Sequence, residues 1–549
     1  MLLDLPLERW TLVDAVRAQA AAQPDGPYLS FGPGGGDDLT FGDLDRASDS
    51  VATALADLGV NEGDRVLGLL TNSRAFVVLM IATHKRQAVF VPVNTELKGA
   101  FLEHQVRNSE PTVVAVDAEL LPLFERVDTS GVPISTTIVV ESAEVGDGAS
   151  VPASLGDTKR LSYANVEATD VRAEACLTPQ PNDVCTIMYT SGTTGPSKGV
   201  LMPQAHCYLF AVGTIKVMEL TAADRYFVCM PMFHANGLFM QIFPTLVAGA
   251  SAHVVKRFSV SSWLDDVSSQ KATVTNALGV MPEFIYRSPA DDRDLKTDLR
   301  RIMAIPVASE WANALEDRFA VKLVQGFGMT EINMVAYSDP AEPVEAGCAG
   351  YILDEHFEVI VADPVTDMPL AVSEVGEIMV RPRTAFCFNV GYFKMPEKSV
   401  EAWRNLWFHT GDAGRFDEKG RLHFIDRIND RIRRRGENVS SYEVEQVLND
   451  HPAIVESAAV GIKVEGAGGE EEIKAVLAVA AGDRPDPVEF LDWCTERMPR
   501  YTVPRYLQFV SELDKTASGK IRKQALRDEG VSDEVWDRES VGYVVRRSS

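Results

Sequence analysis

From Leu39 onward the chain alternates two textures. The stretch LTFGDLDRASDSVATALADLGVNEGDRVLGLL places apolar residues at helical spacing and then closes on a short apolar run. RVLGLL (Arg65–Leu70) and AVFVPVN (Ala88–Asn94) read as strands set between such helices. Helix-period and strand-length segments in alternation predict α/β layers with largely parallel sheets. No fixed-period repeat and no low-complexity tract interrupts the pattern. GPGGG (Gly32–Gly36) reads as a surface turn, because no GxGxxG geometry follows a strand there.

After Arg427 the texture changes. RINDRIRRRGENVSS is a polar, arginine-rich joint, and the residues beyond it carry a compact α+β pattern of their own. Ser440 and Glu443 stand at capping-box spacing for a helix over SYEVEQVLND. Strands over ESAAVGIKV and IKAVLAVAA follow, then a helix around DPVEFLDWCTERM, a strand at RYLQFV and a helix opening near SGKIRKQALRDEG. The last residues, VSDEVWDRESVGYVVRRSS, read as an extension or tail. The expected fold class is α/β: a large N-terminal domain of layered α/β subdomains over residues 1–429, and a small α+β domain over residues 430–549. A length of 549 residues supports more than one core.

Composition narrows the class further. Apolar residues make up 46% and charged residues 24%, the balance of a globular protein with a sizeable core. No stretch reaches the roughly 18 apolar residues a membrane span needs, and MLLDLPLERW carries an acid where a signal peptide carries basic residues. The expectation is a cytoplasmic protein with no membrane span. Seven scattered cysteines without CxxC spacing argue against a disulfide framework or zinc site. A net charge of −26 opposes nucleic acid and anionic membrane as partners, so any polyanionic ligand needs a local basic pocket.

MYTSGTTGPSKGV (Met188–Val200) answers that need. An apolar strand feeds a turn with three glycines, whose backbone N–H groups can converge on an anion without Cβ obstruction. Thr190, Ser191, Thr193 and Thr194 add hydroxyls around Gly192 and Gly195, and Lys198 adds charge. This is a phosphate cradle. It is not a Walker A loop, since Lys198 stands three residues past Gly195 and is followed by Gly199.

Four further segments follow in order: PMFHANG (Pro231–Gly237), QGFGMTE (Gln325–Glu331), WFHTGD (Trp407–Asp412) and DKTASGKIRK (Asp514–Lys523). Together with the loop they resemble the adenylate-forming superfamily of acyl-CoA synthetases, nonribosomal adenylation domains and luciferases, over nearly the whole chain. KATVTNALGVMP, GYILDEHFEVIVAD and RIRRRGENVSSYEVE most resemble the carnitine/crotonobetaine-CoA ligase-type group.

The resemblance implies an AMP-forming acid–thiol ligase. A carboxylate attacks the α-phosphorus of ATP, giving an acyl-adenylate and pyrophosphate; a thiol, that of CoA, then displaces AMP. Lys520 would bridge carboxylate and α-phosphate, Glu331 would hold Mg²⁺ and Thr330 would meet the α-phosphate. Gln325, Gly326, Phe327, Gly328 and Met329 would line the nucleotide, with the loop clamping the β- and γ-phosphates. Asp412 would accept the ribose hydroxyls, assisted by Arg427, and His234 would gate acid and thiol. The family's small domain is mobile. Asp430 matches its hinge, and Arg433, Arg434, Arg435 and Gly436 match a face for CoA. Five arginines between Arg427 and Arg435, in so acidic a chain, suit the CoA polyphosphate.

Three departures stand out. Phe327 replaces the usual tyrosine, Asp514 replaces a proline, and RIMAIPVASEW (Arg301–Trp311) stands where a glycine-rich segment is common. Bulk at Met303–Val307 raises the alternative of weak or absent adenylation, with the chain mainly thioesterifying a supplied acyl-adenylate. Loading of a carrier protein is a further alternative. The acyl pocket is expected from Phe233, Met240, Leu278, Gly279, Met281, Val307 and Met334, which suit an irregular apolar acid. The implied partners are that carboxylic acid or its acyl-adenylate, with ATP, Mg²⁺ and CoA; a homodimer is the assembly considered.

Overall fold

Two sheets of mainly parallel strands dominate the first part of the chain, and the second of them carries both strands that flank the hydroxyl-rich loop, Val184–Thr190 and Lys198–Pro203. A computed structural model describes residues 2–545 other than 33–36, 98, 142–153, 156–157, 191–196, 280, 308–310, 428–430, 435–436, 464–470, 481–482, 499–501, 517–520 and 533. The described chain forms two compact units. One comprises residues 1–359, 380–408 and 419–422; the other comprises residues 360–379, 409–418 and 423–549.

In the first unit, one sheet runs in the order Lys322–Val324, Arg301–Ile305, Val274–Leu278, Arg225–Val228, Ser251–Val254, Pro27–Phe31, Leu39–Thr40. All its pairs are parallel except the last. The second runs Lys198–Pro203, Val184–Thr190, Val89–Pro92, Arg65–Leu69, Val113–Asp117, Thr136–Val140, Thr158–Ser162, Ser154–Leu155. Only its two end pairs are antiparallel. Helices supply the crossovers that parallel neighbours require. Phe41–Asp57 opens on a capping box between Thr40 and Asp43, and Gln204–Met218 is apolar on nearly every face because it is buried on nearly every face. The parallel α/β layering expected from the texture is what forms.

The second unit contains the small α+β fold. Its four-stranded sheet runs Ile454–Lys463, Glu471–Val479, Tyr506–Val510, Trp536–Asp537. Helices Ser441–Asn449 and Pro487–Arg497 bury Val444, Leu448, Phe490, Leu491 and Cys494 in its core. Asp486 caps the second helix by accepting from the backbone N–H groups of Val488 and Glu489.

The C-terminal segment corrects the sequence reading. Trp536–Asp537 pairs antiparallel with Tyr506–Val510, Val545 is buried in the core, and Arg538 Nη1 donates to the carbonyls of Val503 and Pro504. Polar composition suggested a tail; two paired residues and one buried guanidinium make it the sheet's edge. All seven cysteines are free, six buried and Cys176 half-buried. Among the described residues no helix is long and apolar enough to cross a membrane.

Candidate active site

Thr190 and Lys198 are direct partners across the antiparallel strand pair, so the hydroxyl-rich loop is pinned at both ends. Its members Ser191, Gly192, Thr193, Thr194 and Gly195 lie outside the described residues. Glu331 reaches the same place from QGFGMTE. Its side chain is nearly buried, and Oε1 accepts from Thr190 Oγ1 at 3.3 Å and from Tyr392 OH at 3.2 Å. Lys198 Nζ stands 4.2 Å from the centroid of the Tyr392 ring, a cation–π contact. Burial and the neighbouring Glu331 carboxylate push the Tyr392 phenol pKa up, so it stays protonated and donates.

No sequence motif flagged Tyr392, yet its segment links the two halves of this cluster. Val390 N–H donates to Leu201 O, Leu201 N–H to Gly391 O and Phe393 N–H to Gly199 O, which lays the segment along the Lys198–Pro203 strand. Asn389 donates both its backbone N–H (3.2 Å) and Nδ2 (2.8 Å) to Glu331 O. The segment therefore grips Glu331 by backbone and side chain at once.

Thr330 is half-buried, and its carbonyl accepts from His206 Nε2 at 2.9 Å. Asn333 Nδ2 faces His206 Nδ1 at 3.4 Å, which suits the tautomer with the proton on Nε2. Burial lowers the His206 pKa to about 4, so the imidazole is neutral. Gly326–Met329 forms a strand against Asn333–Tyr337, with Phe327 buried. Gln325 N–H donates to Ser338 Oγ, and its side-chain amide donates to Glu345 O. Gly328 is required by packing: a Cβ there would lie 2.6 Å from Met334 Sδ. Met334 is thus buried against the Gly326–Met329 strand.

Phe233 and His234 are half-buried, with ring centroids 4.6 Å apart. His234 precedes a short helix, Ala235–Gly237, that leads into π-helical Leu238–Ile242. Asn72 holds this loop, donating to Met230 O and Val255 O and accepting from Met232 N–H. Asn236 Oδ1 accepts from Asn276 Nδ2 at 3.1 Å, which ties the segment of Met240 to the strand that ends at Leu278. Gly279 follows with φ +59°, its N–H on Ile305 O, and Met281 packs half-buried on the neighbouring core. Met303 and Ala304 are fully buried in their strand, and Val307, 1% exposed, packs in the cluster containing Ile302, Trp311 and Leu315. Met303, Ala304 and Val307 are thus taken up inside the core, whereas Ile305 is half-buried and Pro306 exposed.

In the second unit, Glu377 organises HTGD. Its carboxylate accepts from Gly411 N–H at 3.0 Å and faces His409 Nδ1 at 2.9 Å, while Thr410 Oγ1 donates to Ile378 O. Gly411 has φ +71°, and Asp412 N–H donates to Thr410 Oγ1, leaving Asp412 mostly buried. A lone glutamate in GEIMV carries no pattern that marks this role.

Arg431–Arg434 pairs with Glu437–Ser440 as a hairpin, Arg433 opposite Asn438. Asp430, Arg435 and Gly436 lie outside the described residues, as do the side chains of Arg427 and Arg433. Arg434 is a correction to the expected CoA face. It is 1% exposed; Nη2 sits 2.7 Å from Glu472 Oε2, and Nη1 donates to Val503 O at 2.9 Å. A guanidinium enclosed this way is part of the unit's core and presents nothing to a phosphate.

Lys520 also lies outside the described residues, but the base of its loop is defined. Lys515 pairs with Ile521 in an antiparallel bridge, and Arg522 N–H donates to Asp514 O. Lys515 is itself held by Glu456 at 2.8 Å. The helix expected at SGK begins only at Lys523.

Residues 16–387 match the model of the AMP-binding enzyme family, and residues 443–520 match that of the AMP-binding enzyme C-terminal domain. The chain belongs to the AMP-binding enzyme family. This AMP-binding enzyme is 28% identical to the crotonobetaine/carnitine–CoA ligase of Salmonella paratyphi B, over 89% of its own length and 93% of the relative's. Among solved structures it is similar to ATP-bound MatB from Rhodopseudomonas palustris (TM-score 0.80, 25% identity, 94% and 98% of the two chains covered). It is equally similar to the anthranilate CoA ligase AuaEII in complex with anthranoyl-AMP (TM-score 0.80, 25% identity, 96% and 98% covered).

Proposed function

We infer that this enzyme is an AMP-forming acid–thiol ligase, which activates a carboxylic acid as its acyl-adenylate and transfers the acyl group to CoA. The observation that carries the reading is the convergence of Thr190, Lys198 and Glu331, two hydroxyl- and charge-bearing strands meeting one buried carboxylate. The relatives named as CoA ligases support the thiol, and the bound ATP and anthranoyl-AMP of the similar structures support the intermediate. Neither weakened adenylation nor a carrier-protein acceptor is favoured.

An anionic acid approaching an anionic triphosphate needs fixed positive charge and donors where charge develops. Lys198, the loop hydroxyls of Thr190, Ser191, Thr193 and Thr194, and the N–H groups of Gly192 and Gly195 hold the β- and γ-phosphates. Thr330 meets the α-phosphate, steadied through its backbone by His206. Gln325–Met329 line the nucleotide, and Asp412, on the turn organised by Glu377, accepts the ribose hydroxyls with help from Arg427. Lys520 bridges carboxylate and α-phosphate from the loop closed by the Lys515–Ile521 bridge.

Glu331 suits Mg²⁺: it is a hard oxygen donor, and a single protein carboxylate completed by phosphate and water oxygens is the usual magnesium arrangement. When bound, Mg²⁺ neutralises charge on the departing pyrophosphate. For the second step, Asp430 is the hinge between residues 1–429 and 430–549, and Arg433, Arg435 and Gly436 form the CoA face. His234 gates the meeting of acid and thiol, and Phe233, Met240, Leu278 and Met281 shape a pocket for an apolar acid.

The test is a panel of carboxylic acids with ATP, Mg²⁺ and CoA, with pyrophosphate and AMP measured separately. Pyrophosphate should appear with the right acid, and AMP release should require CoA. Neither product with any acid would overturn the reading.

A further inference from the structure

Lys198 sits on a strand and Glu331 in the turn between Gly326–Met329 and Asn333–Tyr337, and Tyr392 touches both side chains through two different parts of itself. Its hydroxyl donates to Glu331 Oε1 at 3.2 Å, and its ring face lies 4.2 Å below Lys198 Nζ. The residue cannot drift from either contact. Its own N–H donates to Ser399 Oγ at 2.8 Å, it bridges antiparallel to Val200, and it is 6% exposed. Asn389, three residues earlier, fixes the Glu331 carbonyl.

We propose that Tyr392 is a positioning residue for adenylation: its hydroxyl orients the Glu331 carboxylate for Mg²⁺ while its ring holds the Lys198 ammonium for the phosphates. The proposal rests on the ligase reading given above. A carboxylate that accepts a fixed O–H on Oε1 is held in one rotamer, and a hydrogen bond to a charged acceptor is among the stronger ones. A lysine over a ring face keeps its charge and its remaining N–H donors, which an ion pair with Glu331 would consume. One side chain thereby meets the carboxylate through its hydroxyl and the ammonium through its ring face.

The two contacts separate by substitution. Tyr392→Phe keeps the ring and removes the hydroxyl; Tyr392→Leu removes both. ATP–pyrophosphate exchange is measured against Mg²⁺ and against ATP, and thioester formation is measured from a supplied acyl-adenylate, which bypasses ATP. Tyr392→Phe should raise the half-saturating Mg²⁺ by about tenfold and leave the KM for ATP unchanged. Tyr392→Leu should add a rise in that KM of about threefold. Both should form thioester at the wild-type rate. In a Glu331→Gln background, Tyr392→Phe should cause no further Mg²⁺ shift.

Wild-type Mg²⁺ and ATP dependence in both variants would overturn the proposal. So would equal loss of both half-reactions without a Mg²⁺ shift, the mark of a merely structural tyrosine. Absence of exchange in the wild-type protein with every acid would instead sink the ligase reading, and this proposal with it.

Discussion

Replacing Arg434 by methionine removes a guanidinium and keeps an unbranched side chain of similar reach. Glu472, whose side chain is 11% exposed, then loses the partner that stands 2.7 Å away. Val503 O keeps Arg538 as a donor at 3.0 Å, so the cost falls on the stranded carboxylate. Breaking a buried pair by removing one member costs about 3–5 kcal/mol. At about 2–4 °C per kcal/mol for a unit of this size, the unfolding midpoint of the second unit should fall by about 6–20 °C. Differential scanning calorimetry reads the midpoint, and AMP release against CoA reads the affinity in parallel. The double variant R434M/E472L should recover most of the loss, because two apolar side chains leave no buried charge behind. Suppose instead that R434M unfolds at the wild-type midpoint yet needs at least about tenfold more CoA. Arg434 would then be a phosphate ligand, and the assignment to the core would be wrong.

Three further outcomes are expected. Burial lowers the His206 pKa from 6.5 to about 4, so the unfolded chain binds a proton between those values that the folded one refuses. The associated stability, about 3 kcal/mol, is present above pH 6.5 and is lost as pH falls toward 4; acid unfolding curves of H206Q should be flatter over that interval. Gly391→Ala forces a side chain onto φ +120° with Cβ 2.9 Å from Ser399 Oγ, so urea unfolding should show a loss of about 1–3 kcal/mol, and S399A should relieve only part of it. Trp536→Ala should lower the second unit's stability by about 2–3 kcal/mol in the same assay, whereas a true tail residue would leave it unchanged.

The parallel layering was legible because strand–helix alternation has a period, and the loop, QGFGMTE and HTGD were legible because glycines, hydroxyls and charges crowd into short spans. Thr190, Lys198 and Glu331 were picked from such spans, and the fold brings them together across 141 residues of chain between Thr190 and Glu331. Tyr392, Asn389 and Glu377 were missed for the opposite reason: each acts singly, from a stretch with no pattern, on a partner distant in sequence. Arg434 was misread because an arginine in a basic run looks solvated. Strand alternation in RIRR held the warning, since Arg434 falls on the same face as buried Ile432. The edge strand at Trp536 is two residues long, too short for any periodicity to announce.

The Asn389–Phe393 stretch is a spacer between two fixed points, the carbonyl of Glu331 and the strand that carries Lys198. Its tolerance to genetic change should therefore be lopsided. Val390 is largely exposed and could be exchanged for many residues. A single-codon insertion or deletion between Asn389 and Tyr392 is another matter, because a slip of one residue in an extended segment turns every following side chain to the opposite face. Tyr392 would then leave Glu331 and Lys198 together, even though neither of those residues had been altered.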